Sequence, residues 1–159
     1  MKEGQFRLPL FRMFQASLLD KLTTDDLGRG FRSVEAVKES VARDVEHLLN
    51  TRLGERIKPL DYPHLSRSVA NFGLEDFAAM SLSSQEDRDR ICEDIRQSIL
   101  AHEPRLRRPA VHLAPQATAQ QRLHFSIRAT LLIEDQPEPV SFDAVLQPTS
   151  LHYRVNQAA

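Results

Sequence analysis

Two stretches of the chain carry apolar residues at the three- and four-residue spacing of an amphipathic helix. The first runs over about residues 33–50, and Ser33 is a suitable N-cap because its hydroxyl accepts a bond from a free N–H of the first turn. The second runs over about residues 84–101, and the pair Ser83 and Glu86 matches a capping box at its start. The pattern therefore predicts two helices that pack on a common core.

The segment between these helices predicts one further, short helix over residues 65–73. Its apolar residues would share one face, and Gly73 would close it in a left-handed conformation. The apolar residues expected to be buried in or beside this short helix are Leu65, Val69, Phe72, Phe77, Met80 and Leu82.

The last third of the chain alternates apolar and polar residues, which is typical of half-buried strands. The clearest strand covers residues 123–133, a turn follows at 135–139, and return strands cover 140–147 and 151–155, with a shorter strand at 110–113. The predicted fold class is α+β, with two main helices plus a short helix packed on an antiparallel β-meander of three to four strands.

Residues 1–32 predict an N-terminal arm in front of a domain that covers residues 33–159. The arm is dense in apolar side chains, but Pro9, Gly28 and Gly30 interrupt it. An apolar segment of this kind needs a covering surface. Both a groove on its own domain and the surface of a partner stay open.

Composition and charge exclude several classes of protein. The chain has 159 residues, and its 21 Lys and Arg against 22 Asp and Glu give a net charge of -1, so a generally basic nucleic-acid-binding protein is not expected. No run approaches the roughly 18 to 20 apolar residues that span a bilayer. The start lacks the apolar stretch of a secretory signal. We expect a cytoplasmic protein with no direct membrane insertion and no nucleic-acid partner.

Motifs for catalysis, cofactor binding or metal binding are missing from the sequence. The six histidines show no HExxH spacing, and the single cysteine, Cys92, is expected to be a small buried apolar residue. Glu93 and Asp94 form the acid pair to test for a glycosidase, but Arg90 and Arg96 beside them would lower the carboxyl pKa values, and a general acid needs a raised one. We predict no catalytic residue, no cofactor, no metal and no small-molecule substrate.

A charged segment framed by prolines joins the second helix to the sheet. It reads Glu-Pro-Arg-Leu-Arg-Arg-Pro over residues 103–109. Arg105 offers a planar fork that fits a carboxylate, and Glu103 offers a carboxylate acceptor. These charges either lock the hinge within the chain or pair with a partner, and the residue pattern leaves both hypotheses open.

Three stretches of the chain resemble the lysozyme-like baseplate wedge family of contractile tails, in the TssE branch of bacterial type VI secretion systems. They occur in the order expected for that family. They are SLLDKL at 17–22, VARDVEHLLNTR at 41–52 followed by SVANFGLED at 68–76, and EPRL at 103–106. Phe72 and Glu75 depart from the usual Tyr and Pro of the family pattern.

The resemblance implies a noncatalytic, structural role. It implies a type VI baseplate subunit that joins the baseplate wedge to the contractile sheath by β-strand exchange and charge pairing, with wedge subunits and sheath proteins as partners. It places Glu103, Pro104 and Arg105 at the partner-binding site, with Pro104 as a spacer, and the protein in a cytoplasmic baseplate docked at the inner membrane. The alternatives are a peptidoglycan-cleaving, lysozyme-like glycosidase and a free-standing binding adaptor.

Overall fold

The computed structural model describes residues 33–54, 64–77, 80–81, 84–114, 123–133, 136–147 and 152–158. Within these ranges lie two α-helices, α1 (Val34–Asn50) and α2 (Gln85–His102), and four strands. The α+β class and the antiparallel meander are confirmed. The arm predicted at 1–32 lies outside the described residues, as do Leu82 and Ser83. The strands are β1 (Leu106–Leu113), β2 (Leu123–Ile133), β3 (Gln136–Gln147) and β4 (His152–Gln157).

Both helices begin at serine caps. Ser33 accepts a hydrogen bond from the backbone N of Ala36 at 3.1 Å, as predicted. Helix α2 is capped by Ser84, one residue after the predicted Ser83, because Ser84 has the extended backbone of an N-cap and its hydroxyl accepts from Asp87 N at 3.4 Å. The Asp87 carboxylate reaches back and accepts from Ser81 N at 2.8 Å, so the reciprocal bond of a capping box is present in a shifted form.

The four strands form an open antiparallel sheet in the order β1-β2-β3-β4. Helix α2 packs on β1 and helix α1 packs on β4, so both helices cover the same face of the sheet. Alternate strand residues are buried on that face and exposed on the other, as period-two patterning requires. The largest fully buried side chains are Phe125, Phe142, Leu48, Leu49, Leu74, Ile95, Ile99, Leu106, Ile127, Leu131, Val41 and Val45.

The short helix predicted over residues 65–73 is present only as 3₁₀ turns. The chain forms two single 3₁₀ turns, Leu65–Arg67 and Val69–Asn71, and Leu65 and Val69 are 44% and 88% exposed instead of buried. Ser68 interrupts the helix, because its backbone is extended and its hydroxyl donates to Leu65 O at 2.8 Å and accepts from Ala70 N at 3.2 Å. Three of the residues expected to be buried here, Phe72, Phe77 and Met80, are half-buried against the core.

Gly73 has a positive φ of 126° and lies against the end of α1. A Cβ at this position would sit 2.5 Å from the carbonyl oxygen of Thr51. Leu74 N donates to that same carbonyl at 3.0 Å, and Ser98 of α2 donates its hydroxyl to Gly73 O at 2.9 Å. The glycine therefore allows the loop to be bonded to α1 and α2 at once.

The turn predicted at 135–139 is also wrong, because β3 begins at Gln136 and continues through Pro137 and Pro139. In an antiparallel strand, alternate residues direct their backbone groups away from one neighbour. Ser141 directs its carbonyl away from β2 to Ala158 N at 2.9 Å, so the two prolines, at the same alternate positions, also face away from β2. Strand β4 pairs with residues 142–147 of β3 and does not extend alongside Pro137 and Pro139. The missing N–H groups of the two prolines therefore leave no hydrogen bond between strands unmade.

Strand β1 begins at Leu106 and is longer than the predicted 110–113. A bulge interrupts its pairing with β2 between Arg107 and Ala110. Arg108 lies in this bulge with a positive φ of 50°, and Pro109 is buried. Edge strands tolerate prolines at bulges, which is why the proline does not end the strand.

Candidate interaction site

The Glu103–Arg105 segment forms the tight connection between α2 and β1. Glu103 ends the helix by donating its N–H to Ile99 O at 2.9 Å, and its carbonyl accepts from Leu106 N at 3.1 Å. Pro104 is exposed at the tip of the turn. Arg105 O accepts from Leu132 N at 2.9 Å, so the segment is bonded to the sheet on its far side.

Glu103 and Arg105 pair with each other in a two-pronged arrangement. Arg105 Nε donates to Glu103 Oε1 at 2.8 Å, and Arg105 Nη2 donates to Glu103 Oε2 at 2.7 Å. The backbone N of Arg105 adds a third bond to Oε1 at 3.1 Å. Because the two residues are separated only by Pro104, whose φ is fixed by its ring, this geometry is specified locally.

The same guanidinium also reaches helix α1. Arg105 Nη1 donates to Ser40 Oγ at 3.2 Å, and Nη2 donates to Asp44 Oδ2. Ser40 and Asp44 lie one helical turn apart, so they present their oxygens in the same direction. Sequence reasoning missed both residues. The signal for them was weak, because a serine and an aspartate at this spacing are common on helix surfaces.

We call Ser40, Asp44, Glu103 and Arg105 the arginine cluster. It is largely shielded from water, since Glu103 is 5% exposed and the side chains of Arg105 and Asp44 are 21% and 14% exposed. Burial lowers the pKa of the Arg105 guanidinium, but the hydrogen bonds and charges of Glu103 and Asp44 outweigh burial and raise that pKa above its ordinary value. The guanidinium is therefore held as a permanent cation between two helices and the sheet.

Of the two hypotheses for the charged segment, the one in which its charges lock the hinge within the chain describes the contacts of these four residues. Their binding to a partner stays a prediction, and the surfaces available for it are Pro104 and the exposed part of Arg105. Arg107 and Arg108 do not join Arg105 in one patch, because both side chains are exposed on the sheet while Arg105 turns toward α1. Arg122 lies outside the described residues.

The edge of the sheet at β4 is closed by side chains of α1. Asn50 Nδ2 donates to Tyr153 O at 2.9 Å, and Tyr153 N donates to Asn50 Oδ1 at 2.7 Å, so the Asn50 amide bonds β4 as a neighbouring strand would. Val155 N donates to Glu46 Oε2 at 2.8 Å. We call Glu46 and Asn50 the β4 clamp. Sequence reasoning missed this role of both residues.

The opposite edge, at β1, is more open. Ala114 N donates to His124 O at 2.7 Å, so the backbone N–H and C=O of Ala114, and of the alternate residues His112 and Ala110, point toward β2. The backbone groups of the residues between them, Val111 and Leu113, therefore point away from the sheet. The Leu113 backbone bonds the thiol of Cys92 on α2. The outward N–H and C=O of Val111 form no hydrogen bond with a described residue. An edge strand with unpaired outward backbone groups is a template for another strand.

Glu93 and Cys92, two of the side chains considered for catalysis, have structural contacts. Arg96 donates to both carboxylate oxygens of Glu93 at 2.7 Å, and these bonds, together with one from Gln97, lower the pKa of Glu93 to about 2, which is opposite to what a general acid requires. Burial raises the pKa of the Cys92 thiol, so it is not an activated nucleophile. Cys92 is half-buried against the core.

In the described part of the chain, no three His, Cys, Asp or Glu side chains are grouped closely enough to hold a metal ion. None of its helices has the length and apolar character to cross a membrane.

A comparison with protein families shows the family to which the chain belongs. The family model for baseplate wedge protein gp25 matches residues 35–136, which run from the start of α1 to the first residue of β3. This chain belongs to the baseplate wedge protein gp25 family. No curated protein matches it. The match to the gp25 family includes all four residues of the arginine cluster and both residues of the β4 clamp, so a structural role in a baseplate is the context in which these contacts are interpreted.

Proposed function

We propose that this chain is a structural subunit of a bacterial type VI secretion baseplate, located in the cytoplasm in a baseplate docked at the inner membrane. It joins the baseplate wedge to the contractile sheath by accepting a strand from a sheath protein. Membership of the gp25 family and the ordered motifs of the type VI branch support this proposal. The observation that carries it is the difference between the two sheet edges.

A strand from a sheath protein would add to β1 and not to β4. The β4 clamp already satisfies the outward N–H and C=O of Tyr153 and the N–H of Val155. An incoming strand would have to replace bonds there that exist already. At Val111 it would make new bonds, and each backbone bond of this kind adds roughly 0.5–1.5 kcal/mol net.

The arginine cluster supports strand addition by fixing the start of β1. Arg105 bonds α1 through Ser40 and Asp44, while its carbonyl is bonded to Leu132 of β2. An edge that is already rigid loses little conformational entropy when a partner binds. We also propose that the exposed part of Arg105, with Glu103 behind it and Pro104 as spacer, forms the charge-pairing contact with a neighbouring subunit.

The test replaces Val111 by proline, with Val111→Ala as the matched control. Both variants lose the branched valine side chain, but only Val111→Pro removes the outward N–H that an added strand needs. Both proteins are first checked for folding by thermal melting. Sheath extension in cells, followed with a fluorescent sheath protein, should then be lost with Val111→Pro and kept with Val111→Ala. Normal extension with a folded Val111→Pro protein would refute strand addition at β1.

A further inference from the structure

The outer face of the sheet, opposite the helices, carries a patch of arginines and exposed apolar side chains at one end. Thr130 of β2 lies at its centre, with Arg107 of β1 and Pro139 of β3 as its cross-strand neighbours. Arg128 and Leu132 precede and follow Thr130 on the same face of β2. The members that surround Thr130, which we call the outer patch, are Arg107, Arg108, Arg128, Leu132, Pro137 and Pro139, and all six are exposed.

The outer patch carries three arginines, and one exposed acidic residue, Asp143, lies beside Arg128 on the same face, opposite Ser126. None of the three arginines is in an ion pair with a described acidic residue. Glu138, which lies between the two prolines, faces the other side of the sheet and bonds Lys38 of α1 at 2.9 Å. The whole chain has a net charge of -1, so this cationic patch is a local feature and not a result of a basic composition.

The backbone of Arg108 gives a second, independent observation. Its φ of 50° is in the left-handed region, where a residue with a Cβ is disfavoured by roughly 1–2 kcal/mol and glycine is not. Its side chain is exposed and makes no ion pair with a described residue that would offset this cost. Strained residues of this type are concentrated at functional positions.

We propose that the outer patch docks an acidic segment of another protein, one that carries apolar residues between its carboxylates. Guanidinium groups bind carboxylates with two parallel hydrogen bonds, and arginine is enriched in protein interfaces. The exposed Leu132, Pro137 and Pro139 favour a protein over a nucleic acid, because a phosphate backbone has no apolar side chains to cover them. This surface lies on the outer face of the sheet: it shares Arg107 and Arg108 with β1, but it includes neither Val111 nor any residue of the arginine cluster.

The test measures binding of three fluorescent probes to the full chain by anisotropy at low and physiological salt. The probes are a peptide of mixed glutamate and leucine, a polyglutamate peptide and a single-stranded DNA of similar length. The mixed peptide should bind most tightly. Arg128→Glu should weaken it at least tenfold, and Arg154→Glu, which changes an exposed arginine of the same face outside the patch, should weaken it less than twofold.

A third variant separates binding from folding. Arg108→Gly relieves the positive φ, so its melting temperature should equal or exceed that of the parent while the mixed peptide binds several-fold more weakly. The proposal is overturned if the mixed peptide does not bind, if Arg128→Glu and Arg154→Glu weaken it equally, or if the DNA binds more tightly than the peptide.

Discussion

Replacement of Arg105 by methionine distinguishes a structural arginine cluster from a surface charge kept for a partner. Methionine fills a similar volume but removes the guanidinium. Glu103, at 5% exposure, and Asp44 then lose the cation that satisfies their carboxylates. The charge left on the two acids is what makes the change costly.

The size of the loss follows from the burial of the cluster. Removing one partner of a fully buried ion pair costs about 3–5 kcal/mol. Here the side chains of Arg105 and Asp44 are 21% and 14% exposed, so water can still solvate part of the negative charge that the substitution leaves unpaired. We therefore expect Arg105→Met to lower the free energy of unfolding by about 2–3 kcal/mol. Arg105→Lys should lose less, about 1–2 kcal/mol, because an ammonium keeps the charge but not the fork.

The assay is equilibrium unfolding in urea, with an unchanged slope showing that the denatured state is the same. Arg107→Met is the matched control, since Arg107 is exposed and in no ion pair with a described residue, and it should change stability by about 0.5 kcal/mol or less. A loss of less than about 1 kcal/mol for Arg105→Met would refute the structural interpretation. Sheath extension that fails with a folded Arg105→Met protein but is kept with Arg105→Lys, which retains the charge, would support the charge-pairing proposal.

Three further predictions concern the loop, the β4 clamp and a buried phenol. Gly73→Ala should lower the free energy of unfolding by at least about 2 kcal/mol, because φ is 126° and the new Cβ would meet a backbone oxygen at 2.5 Å, while Gly54→Ala, with nothing within 4 Å, should be nearly neutral in the same urea assay. Asn50→Ala should lower the free energy of unfolding by about 1–3 kcal/mol, because it leaves the N–H and C=O of Tyr153 without their partner. The freed edge of β4 should also raise self-association in analytical ultracentrifugation, and equal sedimentation of the variant and the parent at high concentration would contradict the clamp. Burial raises the pKa of Tyr153 from 10.0 to about 12, so the stability due to the neutral phenol is complete below pH 10 and is lost as pH rises toward 12. Tyr153→Phe should remove this loss in urea titrations across that range, and a phenol that titrates at its ordinary pKa in ultraviolet absorbance would show that the assigned burial is wrong.

The helices and most of the strands could be predicted because their signals are local. The valine and leucine stripe of α1 and the hydroxyl of Ser33 fix that helix within a few neighbouring residues. The alternation in residues 123–133 fixes β2 in the same way, and the structure has that strand with the same bounds. Local patterns were less informative where one hydroxyl, that of Ser68, breaks a helix after a single turn.

The remaining differences depend on contacts between distant parts of the chain. Pro137 and Pro139 predicted a turn, and they are in a strand because β4 stops short of them. Ser40 and Asp44 become part of the candidate site only because Arg105, more than sixty residues later, reaches α1. The charge pattern and the resemblance both singled out Glu103 and Arg105, whose mutual pairing is specified locally, and their contact with a partner remains a prediction.

Helix α1 holds both outer strands of the sheet, and this explains why one edge can be open without loosening the fold. Through the arginine cluster it holds the start of β1, and through the β4 clamp it closes the edge of β4. The two strands between them are paired on both sides for much of their length. An edge strand that lacks a neighbour is normally free to twist or peel away. With β1 bonded to α1 just before its first residue and to Cys92 of α2 near its end, the backbone at Val111 is held in place, so the strand addition that we propose would order the incoming segment but not the acceptor.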